Sequence, residues 1–113
     1  MANVMDTFNV IITKKARQQL EDSIDYIHNT LKNPQAAQSV WHDAVETTNR
    51  LSCLAGSLRF CSNPILKSLG YHIISFKYHK YIMIYHIDGQ NAYVDALYHQ
   101  LQDYENNFSD DLD

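Results

Sequence analysis

The sequence predicts an α+β fold of order β-α-α-β-β-β, a helical hairpin packed on an antiparallel sheet. Three observations carry that prediction. From Gly70 to Tyr104, β-branched and aromatic residues fall in consecutive runs, Tyr71–Lys77, Tyr81–Ile87 and Ala92–Tyr98, as suits side chains on a pleated surface. The last two runs are joined by Asp88-Gly89-Gln90-Asn91. Asp-Gly is a strong hairpin signal because glycine tolerates the positive φ of a tight turn. Upstream, two segments repeat their apolar residues at the spacing of a helix with one buried face. The helices are expected to cover one face of the sheet, which leaves a functional site on or beside the other.

Taken in order, Phe8–Ile12 is a short β-branched run that reads as a buried strand. Thr13 then stands where its hydroxyl can cap the first helix. That helix is predicted over Lys14–Leu31, with Ala16, Leu20, Ile24, Ile27 and Leu31 on one stripe. Asn33-Pro34 follows: Asn suits an N-cap, and Pro suits a first helical turn, where its missing N–H is not needed. The second helix is predicted over Pro34–Cys53, with Ala37, Val40, Trp41, Ala44, Val45, Thr48 and Leu51 facing inward. Trp41 is expected to anchor the core between helix and sheet. The short link between the helices forces an αα-hairpin. Ala55–Leu69, broken by Gly56, Ser62, Asn63 and Pro64, reads as a packed connector without an element of its own. A short helix is expected at His99–Asn106. The expected domain is 1–106, with 107–113 an acidic, frayed tail.

Composition narrows the function. A chain of 113 residues with 45% apolar content is one domain with its own core. No apolar run is long enough to span a membrane, and MANVMDTFNV lacks the basic flank and apolar segment of a signal peptide. A cytoplasmic location is expected. Cys53 and Cys61 form no metal or redox spacing and read as buried or half-buried apolar residues. The net charge is −4, and from Tyr81 onward there are seven carboxylates and no Lys or Arg. Since nucleic-acid affinity rests on cations that neutralise phosphates, direct DNA binding is not expected.

Several local motifs resemble the RelE/ParE superfamily of type II toxin–antitoxin toxins. Thr13, Ala16 and Leu20 match the family's "T-x-x-A-x-x-D/E-L" helix start, and Asn33-Pro34-Gln35-Ala36-Ala37 its "N-P-x-A-A" turn. Leu69-Gly70-Tyr71-His72 is similar to "L-G-Y-R", and Tyr81–Asp88 to "Y-x-I-x-Y-x-I-D". Leu97–Tyr104 is similar to "L-x-H-x-R-x-D-Y". The match runs from about Phe8 to Tyr104, nearly the whole chain. The resemblance implies one fold and two unlike activities. ParE-type members block DNA gyrase by binding, whereas RelE-type members cut messenger RNA on the ribosome. The length of the two helices favours the ParE branch. Either branch implies a cognate antitoxin as partner, wrapped over helices and sheet, and neither implies a cofactor or metal.

This chain departs from the pattern at three cations: His72, Ala96 and Leu101 stand where the family often carries Arg. Metal-independent RNA cleavage needs one group to activate the 2′-hydroxyl and another to protonate the leaving oxygen. For an RNA-cutting member the resemblance points to His99, which matches the family's C-terminal His, with Tyr98 or Tyr104 beside it and His72 as a further imidazole. Lys67, Lys77, Lys80 and Arg59, with Tyr85, are the candidate binding residues. The competing assignment for each is structural: tyrosines alternate across a strand, so some must line the core. Aromatics without interleaved cations fit a protein-binding surface better than an RNA platform. Three readings follow: a gyrase-directed binder, a ribosome-dependent endonuclease, and a non-toxic relative that only binds its partner.

Overall fold

The computed structural model describes residues 7–112. The N-terminal stretch considered for a signal sequence lies, up to residue 6, outside the described residues, as does Asp113. The elements are β1 (Asn9–Ile12), α1 (Lys14–Asp25) continued by a π-helical turn (Tyr26–Thr30), and α2 (Pro34–Leu54). There follow α3 (Pro64–Ser68), β2 (His72–Ser75), β3 (Tyr81–Asp88), β4 (Asn91–His99) and α4 (Tyr104–Asp111). Among the described residues no helix is long and apolar enough to cross a membrane.

Local chemistry sets the helix boundaries. The Thr13 hydroxyl accepts from the Ala16 N–H at 3.3 Å, and Asn33 Oδ1 accepts from the Ala36 N–H at 3.1 Å. The same Asn-Pro device recurs at Asn63-Pro64, whose side-chain oxygen receives the Ile65 and Leu66 N–H groups at 2.9 and 3.1 Å. The expected structureless connector therefore contains a helix. Gly70, at φ +88°, ends it: Gly70 N–H bonds the Lys67 carbonyl and Tyr71 N–H the Leu66 carbonyl, closing the last turn. Gly89 does the same work in the β3–β4 hairpin, where φ is +62° and Asp88 pairs with Asn91.

The sheet order is β1-β4-β3-β2. β2, β3 and β4 pair antiparallel, but β1 runs parallel to β4, so the sheet is mixed rather than purely antiparallel. The parallel partner is allowed because the two helices supply the crossover. Where β1 ends, α1 takes its place beside β4, and Gln19 Oε1 accepts the Leu97 N–H at 2.9 Å. The β3–β4 ladder pairs Ile84 with Ala96 and then Tyr85 with Val94, so Asp95 is an extra residue, a β-bulge. The bulge switches the parity of β4. Ala92, Val94 and Leu97 face the helices, and Ala96 and Tyr98 face the other side.

Both faces of the sheet are covered. The helix-side core joins Ala16, Leu20, Val40, Ala44 and Leu51 to Ile74, Met83, Tyr85 and Val94. The second core, where an open face was expected, joins Ile73, Ile82, Ile84 and Tyr98 to Leu66, Cys61 and Phe108 from α3, its approach and α4. Phe108 is 3% exposed, and the last helix runs to Asp111, several residues beyond the expected His99–Asn106 and through most of the expected frayed tail. Cys53 is exposed, contrary to expectation, while Cys61 is buried and burial pushes its thiol up to about 12. Trp41 also departs from expectation. The buried stripe of α2 is Ala37, Val40, Ala44, Thr47 and Leu51, and Trp41, off its centre, is 48% exposed.

Candidate functional site

Four side chains are the catalytic candidates of the RNA-cutting reading alone, and the structure keeps two of them, Tyr98 and His99, in one cleft. His72 is buried between Phe60 (ring centroids 4.1 Å) and Tyr85 (5.0 Å), and its Nδ1–H donates to the Leu58 carbonyl at 3.0 Å. Its parity on β2 points it under the end of the helical hairpin. Tyr104 opens α4 and packs against the second core. Tyr98 is buried in that core, and its hydroxyl is a buried side-chain oxygen without a hydrogen-bond partner among the described residues. Burial raises the Tyr98 phenol above its ordinary value.

His99 and Tyr98 do line one open cleft, of about 570 Å³, with Gln19, Tyr26, Tyr81 and Gln102. The His99 ring meets Tyr81 edge-on at 5.2 Å. Its Nδ1 accepts the Leu101 N–H at 3.1 Å, so the neutral ring carries its hydrogen on Nε2. In that state His99 presents a donor to the cleft. Its Nε2–H can hold an oxygen by a hydrogen bond, while the ring nitrogen that could take a proton from a hydroxyl is already occupied by the Leu101 N–H.

The binding candidates are scattered. Lys67 is exposed in the last turn of α3. Lys77 lies over the Tyr78 ring at 5.3 Å in the β2–β3 loop, and Lys80 is exposed in the same loop. Arg59 is exposed on the connector before α3. Tyr85 is fully buried and its hydroxyl donates to the Ala55 carbonyl at 2.7 Å. A partner therefore cannot touch it, because its strand parity turns it toward the helices.

Two Asp–His pairs were not foreseen. Asp43, on the buried side of α2, accepts from the Lys77 N–H (3.2 Å), the Tyr78 N–H (2.9 Å) and His79 Nδ1 (2.7 Å). Burial pushes its pKa up, but these bonds outweigh it and hold the carboxyl below the ordinary range. The carboxylate thereby fastens the β2–β3 loop to α2. A lone Asp three residues after Val40 and four before Thr47, inside an apolar stripe, was the available signal. On the opposite face, the bulged Asp95 receives His86 Nδ1 at 2.6 Å, and the His86 ring stacks on Tyr93 at 5.2 Å. Burial raises the Asp95 carboxyl above its ordinary value despite His86. Among the described residues no three His, Cys, Asp or Glu side chains gather in a metal-binding group.

A further feature is an apolar groove of about 160 Å³ between α1 and α2. Ile12, Leu20, Ala44, Val45, Met83 and Leu97 line it, with Trp41 at the rim and Arg17 and Glu21 supplying the charges. Trp41 and Val45 are large apolar side chains exposed beside an opening onto the core. Such a surface is the ordinary mark of a protein interface.

These features sit on a fold with known relatives. No curated protein matches the chain. A solved structure described as "Chromosomal ParDE TA system from P. aeruginosa" is similar in fold, with a TM-score of 0.69 at 18% identity, covering 83% of this chain and 97% of that one. A family model described as "ParE toxin of type II toxin-antitoxin system, parDE" matches residues 10–104. A match over that span, carried by the strand–helical hairpin–sheet order seen here, identifies the chain as a member of the ParE toxin family of type II toxin–antitoxin systems.

Proposed function

We propose that the chain inhibits growth in the cytoplasm by binding DNA gyrase, and that a cognate antitoxin silences it by seating an apolar segment in the groove between α1 and α2. The observation that carries the antitoxin part is the groove itself, open to the core and rimmed by Trp41 and Val45. Aromatic anchors in such pockets dominate interface energetics. The separation of His72 and Tyr104 from the cleft that His99 and Tyr98 share favours binding over RNA cleavage as the toxic act. Trp41→Ala is expected to weaken the antitoxin complex by about 2 kcal/mol or more, and Val45→Glu to weaken it further by placing a charge in an apolar slot. Both should leave the melting temperature within a few degrees, since both side chains are already exposed. Calorimetric titration with the antitoxin checks this, and unchanged affinity in both variants would remove the groove from the interface.

The second reading, an mRNA endonuclease, draws on the shared cleft of His99, Tyr98 and Tyr81. Inducing the chain alone, with DNA-damage and translation reporters in parallel, separates the two. The expected result is growth arrest with the damage reporter on, undiminished by His99→Ala. Arrest that begins with loss of translation and disappears in His99→Ala would establish the endonuclease instead. Soluble expression without arrest would favour the binder that has lost its toxicity.

A further inference from the structure

Two of the three arginines, Arg50 and Arg59, line a single open cleft of about 380 Å³ at the β2 edge of the sheet. The other lining residues include Ser57, Leu58, Ser75 and Phe76, and no carboxylate is among them. The ion pairs among the described residues are Lys15–Asp111, His79–Asp43 and His86–Asp95, so no described carboxylate pairs with either guanidinium. Arg50 makes one long contact, Nη1 to the Ser75 carbonyl at 3.4 Å. In an acidic protein of net charge −4, this is a local reversal of sign.

The backbone at the cleft is also incomplete. Residues 59–61 pair with the outer edge of β2: Ile73 N–H donates to the Arg59 carbonyl at 3.3 Å, and Cys61 N–H to the Tyr71 carbonyl at 2.9 Å. Upstream of Arg59 the chain turns away through a short 3₁₀ helix, Ala55–Ser57, and that pairing stops. In an antiparallel ladder the peptide groups of alternate residues point to the same side. Ser75 stands two residues beyond Ile73, so its N–H and carbonyl face the open edge, directly inside the cleft.

We propose that this cleft docks an extended acidic peptide segment of a partner protein, pairing its backbone with Ser75 and placing a carboxylate between Arg50 and Arg59. A sheet edge supplies backbone affinity, and guanidinium forks match carboxylates in geometry as well as charge. Charge complementarity selects the occupant. A nucleic acid would need a track of cations along its phosphates, whereas this cleft is lined by two, Arg50 and Arg59, beside the outward-facing peptide of Ser75. The site lies apart from the α1–α2 groove and stands independently of the function proposed for it.

The test uses the full chain and fluorescein-labelled heptapeptides in which Asp or Glu alternates with Val. Saturable binding is expected, at least tenfold weaker for Arg50→Ala and for Arg59→Ala, and unaffected by Lys14→Ala on the far helix. Replacing the peptide carboxylates by amides, or methylating the backbone nitrogens on its pairing edge, should each cause a similar loss. Thermal melts of the variants establish that they remain folded. Absence of saturable binding at millimolar peptide overturns the proposal, as does equal affinity for the amide peptide. Tighter binding of a single-stranded RNA heptamer that displaces the peptide would reassign the cleft to phosphate. Self-association abolished by the same substitutions would reassign it to a second copy of the chain.

Discussion

Tyr85→Ala is expected to destabilise the protein by about 3–5 kcal/mol, the range for removing a large buried aromatic side chain. Tyr85 is fully buried, and its ring closes a stack that runs Phe60, His72, Tyr85. Its hydroxyl donates to the Ala55 carbonyl at 2.7 Å, tying β3 to the end of α2. Burial raises the phenol well above its ordinary value, so it remains a donor throughout the working pH range. Deleting the side chain opens a cavity between sheet and helix and leaves that carbonyl without its partner. Tyr85→Phe keeps the packing and removes only the donor, so its loss should be about 1–2 kcal/mol. Urea unfolding of the pair checks both figures. Wild-type stability in Tyr85→Ala would mean that the residue is a surface contact after all. Against a typical domain stability of about 5–15 kcal/mol, the alanine variant should be partly unfolded at elevated temperature.

Asp43→Ala is expected to cost about 3 kcal/mol or more, because it removes a buried acceptor and strands two backbone N–H groups. Asp43 is 3% exposed and carries the bonds to Lys77, Tyr78 and His79. Asp43→Asn should lose less, since its carbonyl oxygen can still accept, but it forfeits the charge-assisted bonds. The pH dependence has a definite sign. The folded-state pKa is lowered, so the unfolded chain binds the proton more readily, and the stabilisation is fully present above the unfolded carboxylate value near 4. It is lost as the pH falls through the lowered folded value. The stability gap between wild type and Asp43→Asn should therefore be constant near neutrality and narrow below about pH 4. A gap that widens on acidification would contradict the assignment. Amide exchange in the loop Lys77–Lys80 should quicken in both variants, a readout confined to the segment that Asp43 fastens.

The hairpin at Gly89, the Thr13 and Asn33 caps and the period of both helices were legible, because each depends on residues within about four positions of one another. Asn63-Pro64 carries the same capping signature as Asn33-Pro34, but the helix behind it is only five residues long, too short for an apolar period to show. Trp41 falls outside the buried stripe because periodicity defines a band only about a third of a helix wide, and its margin is set by what packs opposite. The extra residue at Asp95 reversed the parity of half of β4, which no alternation pattern within that strand announces.

The site was less legible than the fold. His99 and Tyr98 were named from the sequence and share a cleft, yet the tautomer of His99 follows from a backbone N–H two residues away in a turn not foreseen. Asp43 and His79 are 36 residues apart in the chain, and Arg50 and Arg59 line one cleft only because α2 ends beside the edge of β2. By itself, the sequence determined the α+β class, the helical hairpin, the β3–β4 hairpin and the family resemblance, all recorded in local periods and caps. The tertiary structure decided the parallel pairing of β1, the burial of His72 and Tyr85, the exposure of Trp41, the Asp43–His79 pair and the shared cleft of Arg50 and Arg59. These depend on which distant segments come to share one volume, and that is fixed by the packing of the whole chain rather than by neighbours along it.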